Sequence, residues 1–112
     1  MKDIWIRSTW EYKKIYREGI KETGKRVIIY ADQHEGEQAR FGIAVTRRIG
    51  KAVVRNRIKR VLREIIRKNL NHFQGGFNTA VVARVKIISS SFQEIENELL
   101  DLLKKSLGPK DP

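Results

Sequence analysis

The order of apolar patterns along the 112 residues predicts an α+β domain. It would be a two-layer α/β sandwich in the order α-β-β-β-α-β-α, with a mostly antiparallel sheet. Three observations carry this. Apolar residues recur at three- and four-residue steps in three separate stretches. Two runs rich in β-branched and aromatic residues, "RVIIYAD" and "ARFGIAVT", flank a charged, turn-like "QHEGEQ". A continuous apolar run, "NTAVVARV", follows the longest helical stretch, which implies a strand–helix–strand crossover. No repeat, linker or low-complexity run divides the chain, so residues 1–112 read as a single domain.

Each element has its own signal. "STWEYKKIYREG" is a short helix: Ser8 and Glu11 form a capping box, and Gly19 stands where a helix C-terminal glycine belongs. "GIKETGK" supplies a short edge strand. Arg26 to Asp32 and Ala39 to Thr46 follow, and their proximity predicts a hairpin. A helix is expected from about Val53 to Leu70, with Val54, Ile58, Val61, Leu62, Ile65 and Ile66 on its apolar side. After the apolar strand, Ser91 and Glu94 make a second capping box, opening a helix that Gly108-Pro109 closes. Phe92, Ile95, Leu99, Leu102 and Leu103 form its packing stripe, and Glu94, Glu96, Glu98 and Asp101 should face outward.

Charge says most about function. The net charge is +11, and residues 47–68 hold ten Lys or Arg against the single acid Glu64. From Ser89 onward the balance is −2. Such a one-sided distribution points to a polyanionic partner, nucleic acid or an anionic membrane surface. On a helical wheel, Lys59, Arg63, Arg67, Asn56 and Arg60 sweep across the side opposite the aliphatic stripe, with Arg55 and Arg57 at its flanks. Like charges at these spacings repel, so the face calls for an opposing anion. Arginine predominates, which favours forked contacts to phosphate oxygens. Upstream, Arg47, Arg48 and Lys51 lie in a Gly-containing loop that feeds the helix N-terminus, where free N–H groups favour an anion. Asn56 can hydrogen-bond a phosphate, a base or a metal-bound water, or be merely a helix-start residue.

The chain has no cysteine, which excludes disulfides, thiolate metal sites and a thiol nucleophile. No apolar run reaches the length of a membrane span, and "MKDIWIRSTW" lacks a signal-peptide core, so a cytoplasmic location is expected.

The stretch "FGIAVTRRIGKAVVRNRIKRVLRE", Phe41 to Glu64, closely resembles the signature of the bacterial ribonuclease P protein subunit. "EYKKIYREG", "VIIY" and "TAVVAR" resemble the first helix and two strands of the same family. The resemblance implies a protein that joins a large catalytic RNA, the two together removing the 5′ leader from precursor tRNA. It places hydrolysis with Mg²⁺ bound mainly by the RNA subunit, with no catalytic residue and no tightly bound metal in the protein. It implies RNA binding by Arg47, Arg48, Lys51, Arg55, Asn56, Arg57, Lys59, Arg60 and Arg63, and a leader-binding cleft with Tyr12, Tyr16 and Tyr30. It also implies a left-handed βαβ crossover, as in the second domain of a small-subunit ribosomal protein; the general handedness rule would give the opposite hand.

The residues support a cleft on their own terms. Tyr12 and Tyr16 are four apart on one helix face and Tyr30 lies on the adjoining strand. Aromatics beside cations suit single-stranded RNA, since any base stacks on them. An ordinary core role for these tyrosines is the competing reading. Trp5 and Trp10 have no clear counterpart in the family and read as packing residues.

Two rival functions follow from other residues. Asp32, His34, Glu35 and Glu37 could ligate a cation in a protein-only nuclease, but a solvated turn at a hairpin tip is the favoured reading of them. His72 reads as a helix-end residue meeting the dipole. A non-catalytic RNA-binding protein, such as a ribosomal protein, shares the composition. Membrane-surface binding fits less well, because the basic helix lacks bulky aromatics on its apolar face.

Overall fold

The computed structural model describes residues 4–33, 38–72 and 76–107. In chain order they form α1 (Thr9–Glu18), β1 (Ile20–Thr23), β2 (Val27–Gln33), β3 (Arg40–Ala44), α2 (Ala52–Lys68), β4 (Phe77–Ala83) and α3 (Phe92–Leu107). Short 3-10 turns at Arg47–Ile49, Leu70–His72 and Val85–Ser89 complete the connections. The order is the one the sequence predicts.

The sheet order is β1-β2-β4-β3. β1 pairs antiparallel with β2, and β2 with β4, while β3 and β4 run parallel. The expected hairpin between residues 26–32 and 39–46 is therefore not formed, because β4 lies between the two strands. Its centre, Thr79, Ala80 and Val81, is buried on both faces, and such a run needs a neighbour on each side. α2 supplies the crossover that parallel pairing with β3 requires. β3 keeps its outer edge covered by the N-terminal segment. Phe41 N–H donates to the Ile4 carbonyl at 2.7 Å, and Ile6 N–H donates to the Phe41 carbonyl at 2.8 Å.

Period-two alternation divides the sheet into two faces. Val27, Ile29, Phe41, Val81 and Ala83 point into the main core, where they meet Ile58, Leu62, Ile65 and Ile66 of α2 and Ile95, Leu99, Leu102 and Leu103 of α3. Burial of each such Leu or Ile contributes roughly 1.5–3 kcal/mol. On the other face, Ala80 and Tyr30 meet Ile6, Tyr12 and Ile15, so α1 covers part of the face that α2 and α3 leave open. The α3 stripe and the apolar face of α2 are as predicted.

Not all the acids of α3 face solvent. Glu94 and Asp101 are exposed, but Glu96 is buried and Glu98 points inward. The Glu98 carboxylate accepts from Arg26 N–H at 2.7 Å, Val27 N–H at 2.9 Å and Arg26 Nη1 at 3.1 Å. Those two N–H groups at the start of β2 have no strand partner there, and a carboxylate satisfies both. Gly24 makes this approach possible, since a Cβ there would lie 2.4 Å from Glu98 Oε2. Glu96 accepts from Asn69 Nδ2 at 3.0 Å and pairs with Lys68 at 3.4 Å, tying the end of α2 to α3.

The capping signals hold in different degrees. Ser91 and Glu94 form the reciprocal box, with bonds of 3.1 and 2.9 Å. Ser8 accepts from Glu11 N–H at 3.3 Å, while the Glu11 carboxylate pairs with Arg40. Gly19 ends α1 in extended, not left-handed, backbone. It is needed for close approach, since a Cβ would lie 2.6 Å from the Ile15 carbonyl oxygen. Gly108-Pro109 lies outside the described residues.

Candidate nucleic-acid interface

α2 forms because its apolar residues keep a helical period over seventeen residues with no interior Gly or Pro. Ile58, Leu62, Ile65 and Ile66 are buried, and Val54 and Val61 are half-buried beside them. This anchors the opposite side outward. Asn56, Arg57, Arg60 and Arg63 are exposed, and Lys59 is half-buried at the margin. Ahead of the helix, buried Ile49 pins the Arg47–Ile49 turn, leaving Arg47, Arg48 and Lys51 exposed. Gly50 follows at φ 145°, a backbone conformation that disfavours any side chain. Arg55 differs from its neighbours: it is half-buried, and Nη1 donates to the Gly50 carbonyl at 2.8 Å. It braces the turn as well as adding charge. The structure thus brings the eight predicted cations and Asn56 onto one helix and its leading turn.

The three tyrosines also converge. Tyr12 and Tyr16 have ring centroids 6.2 Å apart, and Tyr16 meets Tyr30 edge to face at 4.9 Å. Tyr16 is 40% exposed, which leaves ring surface open to a partner. Lys21 of β1 stands over the Tyr30 ring, Nζ 5.8 Å from its centroid. The space is made by small residues, because Ala80 and Gly42 are in register beside Tyr30. A Cβ on Gly42 would lie 2.5 Å from the Tyr12 hydroxyl oxygen. Burial pushes the Tyr12 hydroxyl above its ordinary value, opposed by a backbone hydrogen bond at Ile43 and by the charge of Arg63. Burial likewise raises Tyr16, with Tyr12 and Tyr30 adding to it. Both rings therefore remain neutral near pH 7.

Tyr12 joins the two sets. With Trp5 and Ile43 it lines one side of a groove of about 840 Å³, whose other side carries Arg60, Arg63, Arg67 and Lys68 of α2 with the single acid Glu64. The aromatic cluster and the cationic helix are therefore two parts of one continuous surface. Arg67, which the helical wheel places on the cationic side, belongs to that surface although the RNA-binding set implied by the family resemblance stops at Arg63. Trp5 is half-buried against the core, as predicted, but Trp10 is 68% exposed on α1 and packs on nothing comparable.

Of the four residues of the rival metal site, only Asp32 is among the described residues. Asp32 is buried and pairs with Lys14 at 3.6 Å, while His34, Glu35 and Glu37 lie outside the described residues. Among the described residues no group of three or more metal-ligating side chains occurs, and no helix is long and apolar enough to cross a membrane. The side chain of His72 is likewise outside the described set.

Comparison with known proteins identifies the family and the fold. The sequence pattern of the family described as Ribonuclease P matches residues 1–107. The chain belongs to the ribonuclease P protein family. It is 33% identical over 107 residues to the ribonuclease P protein component of Clostridium botulinum, covering 95% of this chain and 96% of that one. The component from Syntrophomonas wolfei is 36% identical over 101 residues, covering 90% and 85%. Among solved structures, the RNase P protein of Staphylococcus aureus superposes with a TM-score of 0.85 at 28% identity, covering 93% of this chain and 95% of that one. The RNase P protein of Thermotoga maritima gives 0.85 at 29%, covering 94% and 97%. The four-stranded sheet and three helices are those of the ribonuclease P proteins.

Proposed function

We propose that this chain is the protein subunit of ribonuclease P, assisting a catalytic RNA in endonucleolytic removal of the 5′ leader from precursor tRNA. The observation that carries the reading is the junction at Tyr12, where a stacking cluster for single-stranded RNA opens onto a rigid row of cations in a chain of this family. In this account Arg47, Arg48, Lys51, Arg57, Lys59, Arg60 and Arg63 bind phosphates of the RNA subunit, with Asn56 hydrogen-bonding beside them. Arg55 contributes charge while holding the preceding turn. Tyr12, Tyr16 and Tyr30 hold the leader by stacking, which is indifferent to sequence and suits a leader that varies.

The protein supplies no general base or nucleophile in this account. Mg²⁺ held mainly by the RNA would activate water, and the protein would position substrate and screen phosphate repulsion. The location is the cytoplasm. Affinities of the reconstituted complex for precursor and mature tRNA test the proposal. The precursor should bind about tenfold or more tightly, one base–aromatic contact being worth ~1–3 kcal/mol. Equal affinities would remove the leader-binding role.

A further inference from the structure

We infer that the groove between the N-terminal segment and the C-terminal half of α2 is a nucleotide subsite. It would take one unstacked nucleotide of single-stranded RNA, with the base on Trp5 and the phosphate on Arg60, Arg63 and Arg67. The inference rests on the RNA-binding reading above. It extends that reading to Trp5 and Arg67, which lie outside both the tyrosine cluster and the RNA-binding set that the family resemblance implies.

The groove has room for a nucleotide and is divided as one is. Its volume of about 840 Å³ falls within the range of roughly 300–1,000 Å³ usual for small-ligand sites. One wall is mostly apolar and aromatic, from Trp5, Tyr12 and Ile43 with Arg7 beside them, and the other is net cationic, Arg60, Arg63, Arg67 and Lys68 outweighing the one acid, Glu64. A nucleotide has a flat π surface at one end and an anion at the other. An apolar peptide would leave the guanidinium groups uncompensated, and a simple inorganic anion would leave the aromatic wall uncovered.

Trp5 and Arg67 are already arranged for this. The Arg67 guanidinium lies 5.5 Å from the Trp5 ring centroid, within cation–π range. Arg67 thereby links the stacking surface to the phosphate side. Both walls stand on fixed elements. The Trp5 segment is held to β3 by a parallel bridge to Phe41 and the flanking bonds of Ile4 and Ile6, and α2 is anchored by Leu62, Ile65 and Ile66. A subsite formed before binding loses less to ordering when it is filled.

The chain contains two tryptophans, so Trp10→Phe leaves Trp5 as the sole indole reporter. This variant is titrated with a short single-stranded oligoadenylate and, separately, with a ribonuclease P RNA, following Trp5 emission and RNA anisotropy together. The expected result is saturable quenching in step with binding. Quenching by the oligonucleotide assigns the occupant to a leader-like strand, and quenching by the ribonuclease P RNA alone assigns it to an unstacked nucleotide of that RNA. Trp5→Phe, which keeps a stacking ring, should bind within about threefold of the parent chain, whereas Trp5→Ala and Arg67→Ala should lose about tenfold. RNA binding with Trp5 emission unmoved would overturn the subsite and leave the ribonuclease P reading standing. Absence of RNA binding would overturn both.

Discussion

Tyr16 of α1 and Tyr30 of β2 meet edge to face with ring centroids 4.9 Å apart. The contact fixes the partly exposed Tyr16 ring against the sheet, so its free face is presented in one orientation. Replacing Tyr16 with Ala should weaken precursor tRNA binding by the reconstituted complex about tenfold, following the ~1–3 kcal/mol of one stacked base. Binding of mature tRNA should be unchanged, and competition between the two RNAs reads the difference.

Gly42 offers a second route to the same cluster. A Cβ there meets the outer atoms of the Tyr12 ring at 2.5–2.6 Å, and that ring can turn away more readily than backbone can move. Gly42→Ala should therefore reduce precursor binding as Tyr12→Ala does, while the urea midpoint changes little. A large stability loss with unchanged precursor affinity would show that Gly42 serves packing alone.

The basic face should act through counterion release. Arg57 and Arg60 are exposed, whereas Arg55 is half-buried and bonded to the Gly50 carbonyl. The double variant Arg57→Ala, Arg60→Ala should flatten the log–log salt dependence of RNA binding by roughly one unit per lost phosphate contact. Arg55→Ala should also increase backbone exchange in the Arg47–Ile49 turn, measured by hydrogen exchange.

Stability should depend strongly on Glu98. Its replacement by Ala leaves the Arg26 and Val27 N–H groups and the Arg26 guanidinium without their carboxylate, a loss of about 2–4 kcal/mol. Urea unfolding measures this. At the helix start, Ser91 hydrogen bonds, and then Arg26, hold the Glu94 carboxyl below the usual glutamate range. A lowered folded value means that this stabilisation is present above the unfolded value and is lost as pH falls through the folded one. A carboxyl titration by NMR should find Glu94 among the more acidic glutamates, and Ser91→Ala should move it upward.

Local order was legible and long-range adjacency was not. α2 could be read by face because its aliphatic residues repeat at the helical period, so Leu62 and Arg63 are assigned to opposite sides by the chain alone. The Tyr12–Tyr16 pair was visible for the same reason. The separation of β2 from β3 was not, since it depends on β4 entering between them from more distant sequence. Glu96 and Glu98 carry the pattern of a solvated face, yet each meets polar groups contributed by another element. Trp10 looked like packing by residue type, although its helix presents it to solvent.

In the proposed function this protein assists a catalytic RNA and does not itself cut. Precursor tRNA is incubated at low Mg²⁺ with the protein alone, with a ribonuclease P RNA alone, and with both. Leader removal should be slow with RNA alone, accelerated when the protein is added, and absent with the protein alone. Leader removal by the protein alone, or no gain from adding it to the RNA, would overturn the proposed function.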